Sequence, residues 1–290
     1  MASSDPPAYA IAPLTAAEID QARLLVAEAG WNQVAADWQL FLDLGTVHAV
    51  RTPDGRVVAT GATLPYGGRF AWISMVLVAG DHRRRGLATQ LLNLCINEIR
   101  VAGMIPVLDA TPAGQQVYTR LGFVPAWGIS LLERGQVRPA AAPPPAGVML
   151  CPVLPADLAR VSAYDAAAFR ADRGEVLQRL QARLPAGAWL AERQGRIVGH
   201  LHGRDGRRAT QLGPLVADDS ATAMALLAQA LAGIAGPVYV DVADTKRELR
   251  AWLESVGFTV QRPWTRMLLG RSALFDVVSR VFAIGGPEIG

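Results

Sequence analysis

Residues 78–88 read VAGDHRRRGLA and connect a predicted strand, residues 70–78, to a predicted helix, residues 86–100. The first N–H groups of a helix have no acceptor within the helix, and the helix dipole makes this end positive. Gly86 and Ala88 are small enough to let a ligand approach the backbone, and three consecutive arginines precede them. The turn therefore predicts a binding site for an anion, best suited to a pyrophosphate.

A second motif follows at residues 108–114, which read LDATPAG. Thr111 is a predicted N-cap, and Pro112 takes the first helical position, where a helix tolerates the missing N–H. The predicted helix carries Tyr118 and ends before the Gly-Phe pair at residues 122–123. The second motif is therefore a strand, a capped helix with a tyrosine, and a Gly-Phe turn.

Together the two motifs resemble those of the GCN5-related N-acetyltransferases, the GNAT superfamily. The acyl-CoA signature of that family, Arg/Gln-x-x-Gly-x-Gly/Ala, is filled by Arg83, Gly86 and Ala88, and the second motif is similar to its strand-helix-Gly-Phe segment. The resemblance implies an α/β fold with mixed, mainly antiparallel sheets flanked by helices. It also implies acetyl-CoA as co-substrate, no metal, and direct transfer of the acetyl group to an amine.

The resemblance further implies roles for single residues. The amides of residues 84–89 would hold the pyrophosphate of the coenzyme, and its pantetheine arm would pair with residues 76–78 like an extra strand. The Val78 amide would polarise the thioester carbonyl, and Tyr118 would protonate the departing thiolate. The implied coenzyme-binding residues are Val76, Leu77, Val78, Arg83, Arg84, Arg85, Gly86, Leu87, Ala88 and Thr89.

Several of these residues have simpler interpretations. An arginine-rich turn on its own is usually a solvated surface, and Tyr118 is also explained as a packed aromatic residue. The predicted strand at 70–78 carries no carboxylate that could serve as general base, so Asp109 is the nearest candidate, with capping of the turn as the alternative. Direct transfer does not require Cys95 as a nucleophile, and His82 is expected to face solvent.

The motifs recur along the chain, which predicts two similar halves. Leu-Val-Ala occurs at residues 77–79 and 215–217, and Gly-Phe at 122–123 and 257–258, so the second copy is three residues shorter between these anchors. The missing residues fall in the turn between strand and helix. We therefore expect a catalytic domain at 1–133, a linker with three consecutive prolines at 134–147, and a second domain at 148–290.

In the second copy the corresponding turn reads ADDSATA at residues 217–223, without arginine or glycine. Two carboxylates stand where phosphates would bind, and Leu253 takes the position of Tyr118. The second repeat is therefore predicted to keep the fold and to have lost coenzyme binding, as in bacterial tandem acetyltransferases, which the arrangement resembles.

The second repeat is the predicted wall of the acceptor pocket, and the alternative is that it only completes a packed interface. Carboxylates that could meet a cationic amine are Asp165, Asp172 and Glu288. His200 and His202 alternate on one strand, but no further ligand joins them at metal-binding spacing, so no metal is expected. The tail at 273–284 is amphipathic, and its weakly basic polar face favours packing on the body over a membrane-surface helix.

Composition excludes other classes. The chain has 290 residues, 51% hydrophobic and 18% charged, which is typical of a globular protein. A net charge of +3 gives no support for nucleic-acid binding, and Lys246 is the single lysine. No apolar run is long enough to span a bilayer. The first seven residues have no pattern of a secretory signal, and two cysteines form no disulfide framework, so we expect a cytoplasmic protein.

These observations predict an acetyl-CoA-dependent N-acetyltransferase that acts on the primary amine of a small molecule. A protein or peptide acceptor is the first alternative. A non-catalytic acyl-CoA-binding sensor is the second, although Tyr118 beside an intact turn argues against it. Acceptor identity, acyl length and oligomeric state stay open at this level.

Overall fold

The computed structural model describes residues 9–135, 141–271 and 275–290. The chain divides into two compact units, Met1–Pro106 and Val107–Gly290, called here the N-terminal and the C-terminal unit. Each unit contains a mainly antiparallel sheet flanked by helices, so the predicted α/β fold class is confirmed. Within the described residues no helix is long and apolar enough to cross a bilayer.

Among residues 9–106 of the N-terminal unit, four strands lie in the order β1-β2-β3-β4, each antiparallel to the next. They are β1 (Ala10–Pro13), β2 (Thr46–Arg51), β3 (Val57–Tyr66) and β4 (Phe70–Val78), with helices α1 (Ile19–Glu28), α2 (Ala35–Leu44) and α3 (Leu87–Val101). The predicted hairpin turn at Asp54-Gly55 joins β2 to β3, and Gly55 has the positive φ of 85° that favours glycine there. The amphipathic face of α3 packs its buried side chains on β3 and β4.

In the part of the C-terminal unit that the structure describes, there are nine strands and five α-helices. The strands are β5 (Ile105–Ala110), β6 (Phe123–Arg134), β7 (Val148–Pro152), β8 (Trp189–Arg193), β9 (Arg196–Arg204), β10 (Thr210–Ala217), β11 (Val238–Ala243), β12 (Thr259–Leu269) and β13 (Val281–Ile284). The helices are α4 (Pro112–Arg120), α5 (Leu158–Phe169), α6 (Gly174–Arg183), α7 (Ser220–Ala232) and α8 (Arg247–Ser255). Their sheet runs in the order β5-β12-β6-β11-β13-β10-β9-β8-β7.

Strands are exchanged between the two sequence repeats within the C-terminal unit. β12, the last long strand of the second repeat, lies antiparallel between β5 and β6 of the first repeat. β6 in turn pairs along its length with β11 of the second repeat. Residues after 106 therefore group with the second repeat. The predicted boundaries at 1–133, 134–147 and 148–290 stay a prediction, and residues 136–140 of the expected linker lie outside the described residues.

The end of the tail packs on the body as expected, but its conformation differs from the helical pattern of the sequence. Residues 281–284 form a strand, β13, where the amphipathic spacing of residues 273–284 suggested a helix. Residues 273 and 274 of that pattern lie outside the described residues. All four residues of β13 are buried, because the strand pairs with β10 on one side and β11 on the other.

Candidate active site

β4 leads into the arginine-rich turn and contains a β-bulge. Gly61 of β3 faces two residues of β4, Met75 and Val76, since the flanking pairs are Thr60 with Leu77 and Ala62 with Ser74. Met75 has a positive φ of 53°, and its carbonyl accepts a buried hydrogen bond of 2.8 Å from the Thr60 hydroxyl. A bulge re-aims the backbone beyond it. The re-aimed segment is residues 76–78, which the family resemblance pairs with pantetheine.

A carboxylate that no sequence motif indicated, Glu28, contacts the turn after β4. Glu28 at the end of α1 accepts a hydrogen bond of 2.6 Å from the Gly80 amide, and its carboxylate lies 3.6 Å from the Arg83 guanidinium. A Cβ at Gly80 would lie 2.5 Å from a Glu28 carboxylate oxygen, so a larger residue there would displace this flexible side chain. The Arg83 Nε also donates to the Val78 carbonyl at 3.2 Å, so Arg83 is anchored to the end of β4.

Two residues with positive φ shape the turn that leads into α3. Arg84 and Gly86 have positive φ values of 62° and 79°, and Gly86 is the N-cap residue of the helix. No acidic residue lies in the first helical turn. Residues 83–86 and 88–90 are exposed, while Leu87 is buried and fixes the helix to the sheet.

This arrangement fits an anion. A Cβ added at Gly86 would meet nothing within 4 Å, so the space beside the backbone is open. The helix N-terminus and three exposed arginines give that space a positive potential. The predicted residues from Arg83 to Thr89 thus lie together at the turn and the start of α3, and all of them except the buried Leu87 are exposed.

Tyr9 was not singled out by any sequence pattern, yet it packs on the same turn. Its hydroxyl lies 2.7 Å from the His82 Nδ1 and accepts a hydrogen bond of 3.3 Å from Arg85. The expectation that His82 faces solvent is wrong, because only 11% of its side chain is exposed. Arg85 is held by this phenol and by the Asp81 carbonyl at 3.3 Å.

Two other side chains of the N-terminal unit have structural surroundings. The Cys95 side chain is fully buried on α3, and burial together with the nearby Glu98 raises the pKa of its thiol to about 12. A thiol of this kind carries no useful thiolate near neutral pH. His48 pairs through its Nε2 with the Glu98 carboxylate at 2.8 Å, which gives it a structural partner.

Tyr118 lies on α4 in the C-terminal unit. As predicted, the helix begins at Pro112, and the Thr111 hydroxyl caps it by accepting a 3.0 Å hydrogen bond from the Gly114 amide. The ring of Tyr118 contacts that of Phe123, with centroids 6.0 Å apart. Burial raises the pKa of the phenol above its ordinary value, so the hydroxyl keeps its proton at neutral pH.

Asp109 is bound in a buried ion pair. Both of its carboxylate oxygens accept hydrogen bonds of 2.9 Å from Arg266, which lies opposite it on β12. The side chains of both residues are 1% exposed or less. Arg266 also contacts the Asp276 carboxylate at 3.2 Å and lies over the ring of Trp127. This placement gives Asp109 a structural partner that neither earlier interpretation included.

The candidate acceptor carboxylates also have internal partners. Asp165 is fully buried and binds Arg173 at 2.8 and 2.9 Å and His200 at 3.0 Å. Burial alone would raise the pKa of Asp165, but Arg173 and His200 hold it well below its usual range. Glu288 is buried against Arg204. Asp172 is exposed and accepts hydrogen bonds from the Ser162 hydroxyl and the Gly174 amide.

The second repeat lacks the features of the turn in the first. Asp219 caps α7 by accepting a 2.7 Å hydrogen bond from the Thr222 amide. Asp218 accepts from the Tyr164 hydroxyl at 2.8 Å. Leu253, in the position of Tyr118, is fully buried on α8. The predicted coenzyme-binding residues thus lie in the N-terminal unit, whereas Tyr118 and the candidate acceptor residues lie in the C-terminal unit.

Comparison with known proteins agrees with this description. Residues 19–123 match the acetyltransferase (GNAT) family model, and residues 161–283 match a second acetyltransferase (GNAT) domain model. The uncharacterized N-acetyltransferase YitH of Bacillus subtilis is 24% identical over 235 residues, which cover 81% of this chain and 82% of YitH.

Solved structures have a similar fold. A candidate acetyltransferase from Pyrococcus horikoshii superposes with a TM-score of 0.80 at 20% identity, covering 100% of this chain and 99% of that one. A tandem GNAT protein from the clavulanic acid biosynthesis pathway gives a TM-score of 0.66 at 18% identity, covering 90% and 98%.

The matches to two GNAT domain models and the similarity to YitH define the protein as an N-acetyltransferase. More narrowly, the chain belongs to the GNAT superfamily, in its tandem-domain form. GNAT enzymes in general use acetyl-CoA and act on amines of small molecules or proteins.

Proposed function

We propose that this protein transfers the acetyl group of acetyl-CoA directly to the primary amine of a small molecule. The observation that carries the proposal is the exposed turn at Arg83–Gly86, which opens α3 with three arginines, an open backbone and no acidic residue. Free Cys95 and Cys151 suit a reducing compartment, so we propose the cytoplasm as its location.

The chain supplies binding and proton transfer. The amides at the start of α3 and the guanidinium groups of Arg83, Arg84 and Arg85 would hold the pyrophosphate. The Val78 amide would stabilise the oxyanion that forms on the thioester carbonyl. Bound acetyl-CoA supplies the activated acyl group: the amine nitrogen bonds to its carbonyl carbon, the C–S bond breaks, and the amine loses a proton.

Tyr118 is the proposed general acid for the thiolate that leaves. Its raised pKa keeps the phenol protonated, and its hydroxyl makes no hydrogen bond to any residue that the structure describes. Asp109 is unsuited as the base, because both of its oxygens already accept hydrogen bonds from Arg266. The proton of the amine would therefore pass to water.

A small-molecule acceptor is favoured over a protein by one comparison. The tandem GNAT protein of the clavulanic acid pathway, which shares the two-repeat architecture, belongs to the biosynthesis of a small molecule. The protein acceptor stays as the alternative that the same assay can identify.

The test is release of free thiol from acetyl-CoA in the presence of amino acids, amino sugars, polyamines, aminoglycosides and short peptides. Gly86→Glu should abolish coenzyme binding, because it places a carboxylate in the anion site. Gly103→Glu is the matched control: Gly103 has a φ of 73° and equally open space, but it lies at the other end of α3. Equal loss of binding in both variants would contradict the site.

Tyr118→Phe should lower turnover about 100-fold and leave coenzyme binding intact, in line with the usual contribution of a general acid. Tyr164→Phe is the control, because it removes another partly buried phenol hydroxyl of the same unit, one that donates to Asp218. Parent-like turnover in Tyr118→Phe would remove Tyr118 from the mechanism. Coenzyme binding without turnover on any amine or peptide would favour the sensor.

A further inference from the structure

In the C-terminal unit, strands β10 and β11 diverge, and β13 lies in the gap between them, called here the wedge. β10 and β11 are parallel neighbours at residues 210–212 and 238–240, where they pair directly. Beyond that point β13 enters and pairs with both strands. Its partners are Leu215 and Val216 on β10, and Asp241 and Val242 on β11.

The position of β13 has a counterpart in the first repeat. The offset of 138 that aligns Leu-Val-Ala in the two repeats places residues 76–78 at 214–216. Residues 76–78 are those proposed to pair with pantetheine as an extra strand. The strand that actually pairs with residues 215 and 216 is β13.

We propose that the second repeat has retained this wedge as a binding site for an extended chain, and that its ligand is residues 281–290 of the protein itself. The parallel with pantetheine rests on the proposed function. The seating of residues 281–290 does not, since it rests on the contacts of this segment.

Contacts to the carbonyls of residues 279 and 280 fix the position at which the segment enters the wedge. The Ala217 amide donates to the Arg280 carbonyl at 3.0 Å, which starts the pairing with β10. Lys246 donates to the Ser279 carbonyl, and its ammonium lies 3.9 Å from the centroid of the Phe282 ring. Lys246 therefore clamps the segment where it enters the wedge.

The far end is fixed by buried charges. Arg173 donates to the Gly290 carbonyl at 2.5 Å and is itself held by Asp165. Glu288 pairs with Arg204, and both side chains are buried. Asp165 and Glu288 thus support the bound segment, which accounts for two of the carboxylates considered above as contacts of the acceptor.

The wedge is shaped for a backbone. A Cβ at Gly213 would lie 1.9 Å from the Ile284 carbonyl oxygen, so only glycine lets β10 come this close to the segment. Asp218 and Asp219 lie in the turn where a pyrophosphate would have to sit. The site is therefore filled by protein and is unsuited to the coenzyme for two independent reasons.

The test removes residues 281–290 from the chain and adds them back as a separate peptide. A protein that ends at Arg280 should melt at least about 10 °C below the parent, since it loses the four buried residues of β13, the buried Glu288–Arg204 ion pair and the hydrogen bond from Arg173 to Gly290. A synthetic peptide of residues 281–290 should bind this truncated chain with one-to-one stoichiometry and restore the melting temperature. The same peptide with Phe282→Asp should not, and the intact chain should bind neither.

A second variant serves if the truncated chain does not fold. In the full chain, Phe282→Ala weakens the binding of the segment in the wedge. The free wild-type peptide should therefore compete for the wedge and raise the melting temperature of this variant. The inference is overturned if truncation leaves the melting temperature unchanged, or if the peptide stabilises neither variant.

Coenzyme stoichiometry by calorimetry separates this inference from the proposed function. One acetyl-CoA per intact chain, lost in Gly86→Glu, agrees with both. Two per chain overturns the filled wedge. No binding at all, with the peptide still rescuing the truncated chain, overturns the proposed function alone.

Discussion

Asp241 is a carboxylate in the interior of the C-terminal unit, on β11. It is 1% exposed and accepts hydrogen bonds from the Trp264 Nε1 at 2.9 Å and the Gln211 Nε2 at 3.0 Å. Burial raises its pKa from 3.8 to about 6, because these donors only partly replace the hydration of the anion. Asp241 is therefore a residue whose charge costs stability at neutral pH.

The sign of the pH effect follows from this shift. The folded state holds the proton more tightly than the unfolded state, so Asp241 removes stability as the pH rises from 3.8 to about 6. Two pKa units correspond to about 3 kcal/mol. We expect the free energy of unfolding of Asp241→Asn, relative to the parent, to rise by up to that amount between pH 4 and pH 7, measured by urea denaturation.

Glu18 provides a control of opposite sign. The hydrogen bond from Arg51 lowers the pKa of Glu18 from 4.5 to about 2, so its stabilising effect is present above pH 4.5 and is lost as the pH falls toward 2. Glu18→Gln should therefore be less stable than the parent at pH 7 and approach it in acid. A pH-independent difference for Asp241→Asn would contradict the assignment of the raised pKa.

The two cysteines should differ in reactivity. With a pKa of about 12, the buried Cys95 thiol is inert, whereas Cys151 is only partly buried. Iodoacetamide at pH 8 should label Cys151 and not Cys95 in the native protein, as measured by mass spectrometry. Because Cys95 takes no part in the proposed mechanism, its thiol should not affect turnover. Labelling of both thiols in urea is the control. Inactivation that follows alkylation of Cys95 would argue for a catalytic thiol.

At the level of strands, the ion pair of Asp109 and Arg266 joins β5 to β12. Removing one partner of a buried pair typically costs about 3 to 5 kcal/mol, because the other charge stays buried alone. We expect Asp109→Asn to lose stability on this scale and to keep the pH profile of turnover. Asp172→Asn, which changes an exposed carboxylate, should lose about 1 kcal/mol or less. A changed pH profile in Asp109→Asn would restore Asp109 as a candidate base.

Local signals made many elements predictable. The predicted strand at 70–78 has the bounds of β4, and the N-cap and the proline of α4 are as expected, because turn and cap residues act on their immediate neighbours. β13 was missed because Val277, Val278, Val281 and Phe282 follow a helical spacing. Its strand conformation comes from pairing with β10 and β11, which are distant in sequence.

The residues of the candidate site also differ in whether local sequence made them predictable. The exposed turn at the start of α3 was predictable, since its glycine, its arginines and the helix start all lie within one short stretch, and its binding of an anion stays a prediction. The surroundings of the carboxylates were not, because Arg266 lies 157 residues from Asp109 and Arg204 lies 84 residues from Glu288. Glu28 and Tyr9 gave no signal either, as neither belongs to a motif.

For the whole molecule, the exchange of β6 and β12 makes the two sequence repeats depend on each other. A fragment of residues 1–133 would leave β5 and β6 without β12 between them and would expose strand edges. We expect this fragment to be insoluble alone, and to form a soluble complex when it is co-expressed with residues 148–290. Co-purification and thiol release measure the outcome. A monomeric, folded fragment 1–133 would instead support the domain boundary predicted from the sequence.

The clamp residue Lys246 has a wider consequence. It is the only lysine among 28 lysine and arginine side chains, and guanidinium groups stay protonated and accept no acyl group under ordinary conditions. Burial lowers the pKa of Lys246 to about 8, which favours the reactive free amine, but the Ser279 carbonyl and the Phe282 ring shelter it. An enzyme that acetylates amines is here built with almost no side-chain amine of its own to acetylate. Its surface charge should therefore stay constant however much acetyl donor surrounds it.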